Sequence, residues 1–117
     1  MRKEIETENA IIEDTFLGIE DHGIFTYVIH LDYGGSGQGA GMISLDGYNE
    51  KTKKRTGWDG AVPMLRSILD VIGARSWEEL KGKHVRVKHD WDHVYEIGHI
   101  IKDKWVVISK NGGKHNG

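Results

Sequence analysis

Apolar and polar residues alternate along most of this chain, and one long segment switches to a helical period. From Asn9 onward, Ile11, Leu17 and Ile19 share one parity while Ile12 and Phe16 share the other. Both faces of a first strand therefore carry apolar groups that need cover. Asp21-His22-Gly23 supplies turn chemistry, after which Ile24 to Tyr33 alternates cleanly, with Phe25, Tyr27, Ile29, Leu31 and Tyr33 on one face. An antiparallel hairpin follows from this pair. Met42 to Leu45 reads as a short third strand closed by Asp46-Gly47, and the polar run Asn49 to Thr56 reads as a solvated loop.

Ala61, Met64, Leu65, Ile68, Leu69 and Ile72 recur at helical spacing, with Asp59 or Gly60 as N-cap and Gly73 as the stop. Pro63 fits because the first turn of a helix needs no N–H there. Ser76-Trp77-Glu78-Glu79 has the form of a capping box and predicts one helical turn ending at Lys81-Gly82. Three further strands follow: Val85 to Lys88, Val94 to Ile101 and Trp105 to Ile108, joined by turns at Asp90-Trp91-Asp92-His93 and Asp103-Lys104. The order predicts an α+β fold in which a curved, mostly antiparallel sheet of about six strands packs on one main helix. Residues 9–109 form the single domain, with a frayed N-terminus over 1–8 and a disordered tail over 110–117.

The 117 residues suit one domain and one core. A net charge of −2 argues against charge-driven binding to long nucleic acid. Local asymmetry still leaves room for a small anion: the first 21 residues hold seven acids, whereas Lys81, Lys83, Arg86 and Lys88 follow one another without an acid between. The absence of cysteine excludes disulfides, thiolate metal sites and a cysteine nucleophile. No apolar run is long enough to cross a bilayer and no signal peptide is evident, so no membrane partner is expected.

Chemistry centres on Tyr33 to Gly41, which packs five glycines into nine residues. Glycine backbones reach positive φ and can turn N–H groups onto an anion, so a phosphate cradle and a mobile hairpin tip are both open readings. Gly35-x-Gly37-x-x-Ala40 matches the dinucleotide fingerprint formally, but that motif must open a helix and here a strand follows. Gln38 offers an amide able to read a base edge or a ribose hydroxyl.

His89, Asp90, Asp92 and His93 are four possible metal ligands in five residues, although side chains on a hairpin turn splay apart. His99 sits in an apolar strand, as a packed histidine or a phosphate contact, and His30 shares a face with Ile24, Thr26 and Val28, where packing explains it. Arg86 and Lys88 share a strand face and Arg75 precedes the capping turn; these are either phosphate ligands or a solvated face. Trp58 and Trp77 flank the helix as packing residues. Trp91, at a polar turn tip, suits stacking or an oligomer contact. No cofactor is implied, and no paired catalytic histidine motif or Gly-x-Ser-x-Gly nucleophile motif is present.

Several strings together carry a resemblance: Ile11-Ile12-Glu13-Asp14, Leu17-Gly18-Ile19-Glu20-Asp21-His22-Gly23, Gly37-Gln38-Gly39, Gly57-Trp58-Asp59-Gly60-Ala61, Ser76 to Gly82 and Ile97 to Trp105. They resemble small phage proteins of the first-described Thoeris anti-defence family, over roughly residues 9 to 106. The resemblance implies a sponge that sequesters a nucleotide immune signal, glycocyclic ADP-ribose or a cyclic di- or trinucleotide, without cleaving it. It implies a homodimer or hexamer in the cytoplasm of the infected bacterial host. Carried onto this chain, the family's basic and aromatic pocket falls on Arg75, Arg86, Lys88 and His89. Glu96 stands where another basic residue is expected. The expected ligand site thus comprises Gly37, Gln38, Gly39, Trp58, Arg75, Arg86, Lys88, His89, Trp91 and His99, with no catalytic and no metal residue. Two rival functions are a metal-dependent phosphodiesterase using His89, Asp90, Asp92 and His93, and an inhibitor that grips a defence protein through the glycine loop or Trp91.

Overall fold

The computed structural model describes residues 4–108, and the tail expected to be disordered lies outside them. The elements are β1 (Glu6–Ile19), β2 (Phe25–Asp32), β3 (Gly37–Ser44), β4 (Asp46–Asn49), β5 (Lys54–Gly57), α1 (Ala61–Ile72), a 3-10 turn (Trp77–Leu80), β6 (His84–His89), β7 (Val94–His99) and β8 (Trp105–Val107). Six strands form one antiparallel sheet in the order β3-β2-β1-β6-β7-β8, and β4 pairs with β5 separately. The expected α+β fold, a mostly antiparallel sheet of six strands with one main helix, is what the chain adopts.

The core lies on the sheet face turned toward α1. Ile12, Tyr27, Ile29, Leu31, Val85, Val87 and Ile97 are each 1 % exposed or less and meet Ile68 of α1 and Leu80 of the 3-10 turn. Full burial of such aliphatic side chains contributes about 1.5–3 kcal/mol apiece. Tyr27 packs edge-on against Trp77 at 5.7 Å and points its hydroxyl at Met64. Gly73 ends α1 in the left-handed region, φ 88°, and returns its N–H to Leu69. Ser76 caps the 3-10 turn by accepting the Glu79 N–H, as the capping-box pattern requires.

The two apolar parities of β1 have one cause. The pairing with β2 runs Ile12 to Leu31, then jumps to Asp14 and His30, so Glu13 is an extra residue. A bulge reverses which parity faces inward. Before it Ala10 and Ile12 face the core; after it Leu17 lies across from Tyr27 on that same face and Phe16 points outward. The strand also begins before Asn9: Glu6, Thr7 and Glu8 pair with His89, Lys88 and Val87, so the frayed segment expected through Glu8 is in register from Glu6.

Two more expectations are corrected. Asn49 to Thr56 is not a plain loop but the β4–β5 hairpin, whose turn is held by Asn49 Oδ1 accepting the N–H groups of Lys51 and Thr52. Nearly every residue in it is exposed, so no alternation marked it. Asp46 anchors the hairpin to the main sheet, accepting from the Phe25 N–H and, at 2.8 Å, from the Arg55 guanidinium. The glycine-rich stretch is likewise mostly strand. A tight turn ends at Ser36, which accepts the Tyr33 N–H, and Gly37, Gln38 and Gly39 then pair with Asp32, Leu31 and His30.

Candidate functional site

The outer face of β6, β7 and β8 gathers the positive charge. Gly98 of β7 lies between Arg86 on β6 and Trp105 on β8 in the ladder. A Cβ at Gly98 would come within 2.6 Å of the indole, so the missing side chain is what lets Trp105 lie across β7 toward β6. The Arg86 guanidinium sits 4.8 Å from the Trp105 ring centroid and Lys88 Nζ 4.3 Å from it, within the range of cation–π attraction. Arg86 also donates through Nε to the His99 carbonyl at 2.8 Å and through Nη2 to the Lys102 carbonyl at 2.7 Å. These acceptors are neutral, so they hold two of its N–H groups without cancelling its charge. Lys88 has Glu96 at 4.0 Å, at the outer limit of an ion pair.

His99 organises the turn beside this face. Its Nδ1 accepts the N–H groups of Ile101 and Lys102, at 3.0 and 2.9 Å, which requires that nitrogen to be unprotonated. Partial burial, then Lys102, Lys104, Arg86 and Lys83, hold its pKa below the ordinary imidazole value. Four cations around one imidazole mark a positive local field in a chain whose net charge is −2. On the acidic side, Asp103 accepts the Trp105 indole N–H at 3.2 Å.

A second polar cluster lies where β3 meets the β6–β7 corner. Gln38 accepts from the Tyr33 hydroxyl at 2.6 Å and donates to the Asp90 carbonyl at 2.8 Å, latching the β3 edge across the sheet. Tyr33 stacks on His89 with centroids 4.4 Å apart. The Asp90 carboxylate accepts from the backbone of Asp92 and His93 at 2.8 Å and from the Tyr95 hydroxyl at 2.7 Å. It is therefore committed to the turn, and the set His89, Asp90, Asp92 and His93 does not converge on one point. His93 faces Asp92, whereas His89 faces Glu8.

The expected ligand residues thus divide. Arg86, Lys88 and His99 come together on the β6–β8 side. Gln38 and His89 belong to the corner cluster, with the Gln38 amide occupied on both ends. Gly37 and Gly39 form no phosphate cradle; a Cβ on Gly37 would press on the Leu31 carbonyl at 2.7 Å, and Met42 covers Gly39. Trp58 is half-buried against the core and its ring covers Gly60, which puts it with the packing residues. Arg75 is exposed beside the capping turn, its backbone N–H donating to Glu79. Trp91, 79 % exposed, stands at the β6–β7 turn.

Sequence reasoning missed Trp105, Lys102 and Lys104 as site residues. The readable signal was Gly98, a glycine inside an apolar strand, which announces the close approach of something flat. Two grooves border these regions. One of about 400 Å³ runs between α1 and β8, past Met64, Asp70 and Trp105. The other, about 580 Å³, lies on the outer face of β1 to β3 and is lined by Phe16, Val28 and Met42 with His30, so His30 faces outward rather than into packing. Its lining is mainly apolar, which does not suit a doubly charged ligand. Comparison with family models, with curated proteins and with solved structures finds no match to this chain.

Proposed function

We propose that this chain is a binding protein that sequesters a compact, multiply charged nucleotide signal without cleaving it. The signal class is glycocyclic ADP-ribose or a cyclic di- or trinucleotide, and the outcome is a block of bacterial immune signalling in the cytoplasm of a phage-infected host. The observation that carries this reading is the cationic face around Trp105, where Arg86 and Lys88 flank an indole and Lys102 and Lys104 stand close by. Cations on an aromatic plate offer a phosphate its counter-charge and a base its stacking partner at once. Arg86 is held rigid by two carbonyls, so little side-chain entropy remains to be lost on binding. The face is shallow within one chain, so a homodimer or hexamer would supply the enclosing wall. No helix among the described residues is long and apolar enough to cross a membrane.

The test is a thermal-shift panel of cyclic nucleotides and cyclised ADP-ribose, followed by calorimetry on any compound that stabilises. Lys88→Ala should weaken that compound by about tenfold, the scale of one charge-assisted contact. Chromatography of the ligand after heat release should return it intact. New products, or no stabilising compound in the panel, would refute the reading.

A further inference from the structure

We propose that Glu6, Glu8 and His89 form a binding site for a divalent first-row transition-metal ion, with zinc as the matching probe. The site is separate from the cationic face. Glu6 and Glu8 are two residues apart on β1 and so share one side of the strand, and the antiparallel register sets His89 directly across from Glu6. One ligating atom from each of the three residues lies within 4.8 Å of the others.

The imidazole is what distinguishes this group from a patch of surface acids. The His89 side chain is 12 % exposed, clamped on one face by Tyr33, and its Nδ1 lies 3.2 Å from the Asp90 carbonyl. A carbonyl only accepts, so a proton on Nδ1 suits that contact and leaves Nε2 as the nitrogen that a metal ion would take. Nε2 lies 2.7 Å from Glu8 Oε1. In the metal-free protein an Nε2–H donated to the carboxylate accounts for this contact, and an entering cation takes the place of that proton. An imidazole oriented by a backbone carbonyl on one nitrogen, with the other nitrogen aimed at carboxylates, is the arrangement that prepares histidine for a metal. Glu6 supplies a further carboxylate that a single shared proton does not need.

One nitrogen and two carboxylate ligands favour zinc and its neighbours over the all-oxygen ions magnesium and calcium. Ligand bonds of about 2.0–2.2 Å place tetrahedral donors about 3.4 Å apart, so the His89–Glu8 contact opens slightly as the ion enters and Glu6, which is exposed, swings inward. The bound ion would fasten the start of β1 to the β6–β7 corner.

The experiment uses the full chain stripped of metal with a chelator, then titrated with zinc chloride by calorimetry and thermal unfolding, with magnesium as control. One equivalent of zinc should bind and raise the melting temperature, while magnesium should do neither. Glu8→Gln and Glu6→Gln should each weaken zinc binding by at least about tenfold. Glu6→Gln should leave the melting temperature of the metal-free protein unchanged, which separates loss of a ligand from loss of the fold. Absence of a zinc-dependent heat and shift would overturn the proposal, and so would equal binding by the wild type and both variants. An Nε2–H donated to the Glu8 carboxylate would then be the whole of the His89–Glu8 contact.

Discussion

The two polar clusters on either side of β6 use similar residues to opposite ends. At the β3–β7 corner, Tyr33, Gln38, His89, Asp90 and Tyr95 bond mainly to one another, donor matched to acceptor, and the product is a latch between strands distant in sequence. On the outer face, Arg86 bonds to two neutral carbonyls and Lys88 lies 4.0 Å from its acid, so positive charge accumulates. Hydrogen bonding and charge neutralisation are separate conditions. A cluster whose donors and acceptors face one another across strands serves the fold, and one whose cations face neutral carbonyls keeps a field that acts on solutes.

The sharpest way to break this contrast is Asp90→Ala. It strips acceptors from two backbone N–H groups and the Tyr95 hydroxyl, and should cost about 2–3 kcal/mol in denaturant unfolding. Ligand affinity of the surviving folded protein should not change, and a selective loss of affinity would join the two clusters after all. Next comes Gly98→Val. Its side chain would drive the indole off β7, costing about 1–3 kcal/mol, and here affinity should fall together with stability.

The smallest effect concerns His99. Its folded pKa is depressed below the ordinary 6.5, so the unfolded chain takes up a proton first as pH falls. The stability this side chain contributes is fully present above that ordinary value and is lost as pH drops through the folded one. Melting temperatures measured from neutral to mildly acidic pH should therefore decline, and His99→Gln should flatten the decline. An unchanged slope in the variant would assign the pH response to other groups.

How much of this could be read beforehand follows from what each element buries. β2 keeps strict alternation because one face meets α1 and the other meets solvent, and α1 announces itself through Ala61 to Ile72 and Gly73. β4 and β5 bury almost nothing, so periodicity had nothing to record. The β1 bulge turned one parity into two, which resembles a strand covered on both sides. For the site, Arg86 and Lys88 were legible as a pair on one strand face. Trp105 was not, because its position depends on the register of β8 against β7. Gln38 read as a ligand by residue type, whereas its long-range contact with the Asp90 carbonyl ties it to the fold.

β1 has paired neighbours on both sides only around Ile11, near its middle: its pairs with β6 run from Glu6 to Ile11, and those with β2 run from Ile11 to Ile19. Past the bulge the strand is a cantilever, rooted in the middle of the sheet and supported along one flank. Thermal agitation should loosen the molecule from that overhang inward, leaving both polar clusters, which lie at or beyond the root, among the last parts to lose their shape.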